Sequence, residues 1–304
     1  MFKKILVNFI FIIFILISVE FICFCITKKE NADFKKYTDK VKANNTEIFT
    51  TKYKILDDFY PFATGQSIIN NKSKKKPIIW FGCSFAEGAG LGEKQTPCYK
   101  ISKLTGRSCL NRSRGATGTQ FMYYQLQNED FFDKAPQAEY IIYTFIYHHL
   151  TRLYQHQLNP LLYSFNVRYK IVNGHLKEIN PLFKPLYSSF AVKKFLNIKE
   201  FQQAEVEKKD FKLFNKMMEE TVNITKEKYP DSKFIMIEFK NLADKKELPR
   251  KEIQKLNKMG ITVVRASDII NDITDKKYWL EDNIHPSELA WDIILPEIAK
   301  KYIK

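Results

Sequence analysis

From Pro77 onward, short β-rich apolar runs alternate with segments of helical period, which restricts the chain to repeated βα units around a mostly parallel sheet. The runs are Pro77 to Gly82, Ser108 to Asn111, Tyr140 to Ile146, Phe234 to Phe239 and Ile261 to Arg265. Thr96 to Leu104, Thr119 to Gln127, Glu207 to Tyr229 and Lys251 to Lys258 read as the helices between them, and Ser287 to Tyr302 as the last. In the longest helix Leu213, Phe214, Met217, Thr221 and Ile224 share one face, a core stripe. The rhythm breaks over residues 150–204, a stretch too long for an ordinary connection. Within it Tyr163 to Val172 alternates and Asn173-Gly174 marks a hairpin turn before His175 to Ile179. This insertion would leave the end of the third run, at the sheet edge where α/β proteins bind ligands, as a lid, a substrate platform or a plain decoration.

A chain of 304 residues with 45% apolar content buries one sizeable core, and the five apolar runs make a five-stranded, mostly parallel α/β sheet the expected centre of a domain over residues 76–304. Ahead of it, Ile5 to Ile26 is apolar apart from Asn8 and Glu20 and follows Lys3-Lys4, long enough to span a bilayer at about 20 residues per crossing. No small-x-small cleavage site follows, so residues 1–27 read as an uncleaved transmembrane signal anchor with the domain outside the cytoplasm. Residues 28–75 read as a lysine-rich stalk and domain edge.

The net charge of +15 raises the question of an acidic partner. The lysines are scattered, however, and neither a recognition helix, a Cys/His finger nor a basic strip interleaved with aromatics accompanies them, so nucleic acid is not an expected partner. The five cysteines form no C-x-x-C pair, and no structural metal is expected. Cys98 and Cys109 are the sensible pair for a disulfide; the other reading has all five as small buried apolar residues.

Two short segments carry chemistry. Gly82-Cys83-Ser84-Phe85 follows directly on the first apolar run, which places a serine at the tip of a buried strand. Asp282-Asn283-Ile284-His285-Pro286 stands just before the final helix, so Asp282 and His285 share one loop. A serine hydroxyl needs a base on Oγ and donors aimed at the developing oxyanion. His285 would be that base, and Asp282 would hold its tautomer. Glu87 has no partner carboxylate at a predictable distance, so a glycosidase pair is set aside. Arg114 and Arg152 are either ligands for a substrate anion or surface residues.

These segments resemble the SGNH, or GDSL-like, hydrolase superfamily over roughly residues 76–302. Gly82 to Gly88 is similar to its first block, with Cys83 where many members carry Asp. Asn111 to Gly118 is similar to its second, and Asp282 to Pro286 to its fifth. The resemblance implies the flavodoxin-like three-layer fold, ester chemistry without a cofactor, and an oxyanion hole built from the N–H groups of Ser84 and Gly115. The departure is the third block. Where the family ends its strand in Gly-x-Asn-Asp, this chain reads Ile146-Tyr147-His148-His149, so His148, or His149, would stand in for the Asn donor. The function expected is a membrane-anchored serine esterase acting on O-acetyl or related esters of an envelope or extracellular glycan. The alternatives are an O-acyltransferase with the same residues and a non-catalytic SGNH domain that binds a glycan or scaffolds a complex.

Overall fold

The central strands are apolar but for Thr144 in one and Lys233 and Glu238 in another, as expected for strands covered on both faces, and their apolar side chains divide between two cores with period two. The computed structural model describes residues 68–69, 73–115, 117–127, 137–153, 169–178, 206–242 and 245–303. All of these belong to one compact unit made of Thr51–His156, Phe165–Ile179 and Gln203–Lys304. The anchor expected at residues 1–27, most of the 28–75 stalk and most of the 150–204 insertion lie outside the described residues. No helix among those described is long and apolar enough to cross a membrane.

In chain order the strands are β1 (Ile68–Ile69), β2 (Ile78–Phe81), β3 (Cys109–Asn111), β4 (Tyr140–Ile146), β5 (Tyr169–Val172), β6 (His175–Glu178), β7 (Lys233–Phe239) and β8 (Ile261–Arg265). The helices are α1 (Ser84–Glu87), α2 (Pro97–Thr105), α3 (Thr119–Gln127), α4 (His148–Arg152), α5 (Lys208–Lys228), α6 (Arg250–Lys258), α7 (Ala266–Ile269) and α8 (Glu288–Tyr302). The main sheet runs β1-β3-β2-β4-β7-β8. Its last five strands are parallel, and β1 pairs antiparallel with β3. The sheet is therefore six-stranded rather than five-stranded, because a two-residue edge strand is too short to show any period in sequence. β5 and β6 form a separate antiparallel hairpin around Asn173-Gly174, the turn that dipeptide favours.

Ile78, Trp80, Ile142, Ile235 and Ile237 face one core with Trp291, Ile294 and Ile298 of α8. Ile79, Phe81, Ile141, Tyr143 and Met236 face the other, with Met122 and Leu126 of α3 and Leu213, Phe214 and Met217 of α5. Helices on both faces make the three layers. The parallel strands stand in the order second, first, third, fourth, fifth, the flavodoxin-like arrangement, in which the chain reverses direction across the sheet beside the first strand. The loop after β2 therefore opens at the crevice where such sheets accommodate ligands.

Cys98 on α2 and Cys109 on β3 are joined in a disulfide, and both are fully buried. The bond closes a loop with a sequence separation of 11. We expect a Cys98→Ser/Cys109→Ser variant to lose about 3 kcal/mol of stability by loop-entropy arithmetic, measured by urea unfolding. Reduction of the wild type should lower its unfolding free energy by the same amount, and an unchanged value would count against a stabilising bond.

Candidate active site

Gly82 follows directly on β2, where the chain must pass very close to its neighbours. A Cβ at this position would fall 2.7 Å from Ala86 Cβ and 3.2 Å from Thr144 Cβ, so only glycine lets α1 start this tightly against β4. Cys83 is the N-cap residue of α1 and Ser84 its first residue, with Gly88 closing the single turn in the left-handed conformation. Cys83 and Phe85 are buried beneath Ser84, which is itself partly exposed.

The loop after β3 is fastened to the same strand. Trp80 O accepts from Arg112 N–H at 2.7 Å, and Gly82 O accepts from Arg114 N–H and Thr117 Oγ1, each at 3.1 Å. Gly115, on this loop, lies beside the serine: a Cβ built on it would be 3.9 Å from Ser84 Cβ. Its N–H, however, donates to Glu87 Oε2 at 2.6 Å. Burial pushes the Glu87 carboxyl up to about 7, against the Gly115 N–H bond and the Arg114 charge, which pull it down.

On the far side of Ser84 the 279–287 segment is pre-shaped by its own hydrogen bonds. Leu280 N–H donates to His285 O at 2.8 Å, Asn283 N–H to Leu280 O at 2.9 Å, and Trp279 bridges Pro286. Asn283 takes a φ of 54°, a left-handed conformation that Asn tolerates better than most residues. Asp282 Oδ1 accepts the backbone N–H groups of Ile284 at 2.8 Å and His285 at 3.0 Å. Its Oδ2 lies 2.5 Å from His285 Nδ1, and His285 Nε2 lies 2.8 Å from Ser84 Oγ. Burial pushes the Asp282 carboxyl up, but the hydrogen bonds from the His285 ring and from the two backbone groups outweigh it and hold the carboxyl below its ordinary value. The acid therefore stays ionised where the imidazole needs an acceptor. The ring is also held from below: Phe85 meets His285 edge-on with centroids 5.8 Å apart, and rests in turn on Trp279 and Phe239.

Ser84, His285 and Asp282 are thus brought together from opposite ends of the domain. The two histidines after β4 are not equivalent. His149 is fully buried, with Nδ1 2.7 Å from Tyr143 Oη, which is itself 2.9 Å from Thr119 Oγ1. Burial, with the nearby Arg152 and His148, holds its pKa well below the ordinary histidine value. His149 is therefore an internal strut and not a donor to substrate; the sequence position marks the strand end but not the depth of the side chain. His148 opens α4, with Nδ1 3.5 Å from Asn241 Nδ2 beyond the end of β7. Arg152 donates to Thr117 O at 2.5 Å, so it braces the loop after β3. Among the described residues no group of three or more His, Cys, Asp or Glu side chains is arranged to hold a metal ion. The contacts of Phe85 and Glu87 were missed in sequence. For Glu87 the available signal was its spacing of three from Ser84, which puts both side chains on the same side of a helical turn.

No protein-family model matches the chain, and no curated protein matches it. Solved structures do. One is a member of the lipolytic G-D-S-L family from Veillonella parvula, at 11% identity and a TM-score of 0.44, covering 76% of this chain and 100% of that one. Another is an acetyl xylan esterase from Butyrivibrio proteoclasticus, at 10% identity and a TM-score of 0.43, covering 74% of this chain and 63% of that one. A third is a family two carbohydrate esterase from Clostridium thermocellum, at 10% identity and a TM-score of 0.44, covering 75% and 64%.

Proposed function

We propose that the chain is an SGNH-type serine esterase that cleaves acyl esters, with O-acetyl groups of an envelope or extracellular glycan as the substrate class. The observation that carries this reading is the hydrogen-bonded run from Ser84 Oγ to His285 Nε2 at 2.8 Å and from His285 Nδ1 to Asp282 at 2.5 Å. His285 takes the Ser84 proton as Oγ attacks the ester carbonyl and then delivers it to the leaving alcohol. Water, activated by the same imidazole, releases the acid from the acyl-enzyme. Asp282 stabilises the imidazolium that forms in each step, and the N–H groups of Ser84 and Gly115 receive the oxyanion.

Location outside the cytoplasm is part of the proposal. The Cys98–Cys109 disulfide supports it, since such bonds persist in oxidising compartments. So does the apolar run from Ile5 to Ile26 as a membrane anchor. An O-acyltransferase would use the same residues, with a sugar hydroxyl replacing water in the second step.

The test treats full-length protein with a fluorophosphonate probe and maps the adduct, then supplies an O-acetylated polysaccharide. We expect label on Ser84 and release of acetate. Label on Ser84 with acetyl moved to an added sugar and none to water would establish transfer instead. An unlabelled Ser84 would overturn the serine mechanism.

A further inference from the structure

One ionisable group inside the site has no task in the mechanism above. Glu87 lies three residues after Ser84 on the single turn of α1, so its side chain leaves the turn on the side of the serine. Its Oε2 stands 2.6 Å from Gly115 N, close to the distance at which an oxyanion would sit from that donor. A Cβ built on Gly115 would fall 3.1 Å from this oxygen and 3.9 Å from Ser84 Cβ, so carboxylate, donor and nucleophile share one small volume. We propose that Glu87 is a built-in plug of the oxyanion site: its carboxylate occupies the place of the oxyanion on Gly115 in the resting protein, and turnover requires it to leave.

The proposal rests on the serine-esterase reading and adds to it a group that governs access to the second donor. Ionised Glu87 opposes the reaction in two ways. It holds the Gly115 N–H by a charge-assisted bond, and its charge repels an oxyanion forming next to it. Protonation weakens both effects. Among the described residues, Arg114, on the loop after β3, is a charge that acts on it, and the Asp282–His285 pair stands on the far side of Ser84. With its carboxyl pushed up to about 7 by burial, the plug is weakest on the acid side of neutrality and strongest on the alkaline side.

The experiment compares full-length wild type with Glu87→Ala and Glu87→Gln. Each is checked for folding by circular dichroism and for fluorophosphonate labelling at Ser84, and each is assayed with p-nitrophenyl acetate from about pH 6 to about pH 8.5. Glu87→Ala removes the plug. Glu87→Gln keeps its shape and a neutral bond to Gly115. We expect Glu87→Ala to exceed wild type in kcat/KM by about tenfold or more at the alkaline end, since a hydrogen bond to a charged group contributes roughly 1.5–3 kcal/mol. The advantage should shrink toward unity at the acid end, and Glu87→Gln should lie between. Folded, labelled variants that turn over no faster than wild type would overturn the plug, and so would a ratio that does not change with pH. Absence of label on Ser84 in all three would instead overturn the serine mechanism, and the plug with it.

Discussion

Replacing Ser84 with alanine is expected to lower kcat/KM for an acyl ester by about 10⁴-fold or more, and His285→Ala by a similar factor. In the proposed mechanism both side chains act in one proton transfer, across the 2.8 Å contact between Oγ and Nε2. Removing either leaves only substrate binding and the oxyanion donors. The two losses should therefore not add, and the Ser84→Ala/His285→Ala double variant should be no slower than either single one. Steady-state kinetics with p-nitrophenyl acetate, beside unfolding curves showing that the variants remain folded, make the measurement. The unfolding curves should move little, because Ser84 is partly exposed and His285 is held at the surface of its loop. A double variant that loses the product of the two single factors would mean that the residues act independently, contrary to the geometry.

The second large effect belongs to Asp282→Asn, for which about 10⁴-fold in kcat is expected with folding intact. The amide oxygen can still accept the backbone N–H groups of Ile284 and His285 that now reach Asp282 Oδ1. Its NH₂ group would then face His285 Nδ1 and donate to it. That forces the proton onto Nε2, where it meets Ser84 Oγ and leaves no lone pair to accept the hydroxyl proton. The pH consequence follows from the depressed carboxyl. A lowered folded-state value means that Asp282 stabilises its loop above the ordinary value of 3.8, and that the contribution is lost only as pH falls through the lower folded value. The Asp282 turn should therefore keep this contribution until the pH falls below the ordinary carboxylate value. Unfolding midpoints of wild type and Asp282→Asn over the same pH series check this: the difference between them should close only in acid.

Long elements were legible because their residues repeat. Tyr140–Ile146 and Ile261–Arg265 are unbroken or nearly unbroken apolar runs, and the stripe Leu213, Phe214, Met217 recurs at helical spacing and packs as core. One-turn helices have no period to read, which is why α1, α4 and α7 went unread. In the site, Ser84 and the Asp282–His285 pair were legible from their places, one after the first strand and one before the last helix. What those residues rest on was not. The contact of Phe85 with His285 joins residues two hundred apart, and the link from Tyr143 to His149 depends on a depth that neither local pattern encodes. Glu87 read as a lone carboxylate because Gly115, its partner, contributes a backbone N–H, which every residue but proline carries.

The fastening of the Gly115 loop to the carbonyls of Trp80 and Gly82 has a mechanical consequence. Ser84 and the loop both hang from the end of β2, a fully buried strand, so they are expected to ride together as one rigid jaw. The Asp282–His285 turn forms the opposing jaw. It is internally braced by its own hydrogen bonds but meets the first chiefly through the Ser84 hydroxyl and the edge of the Phe85 ring. Thermal loosening should therefore widen the gap between serine and imidazole while leaving the imidazole on its carboxylate. Activity would then fade on heating before the sheet melts, and backbone amides of 280–286 would exchange with solvent sooner than those of β2.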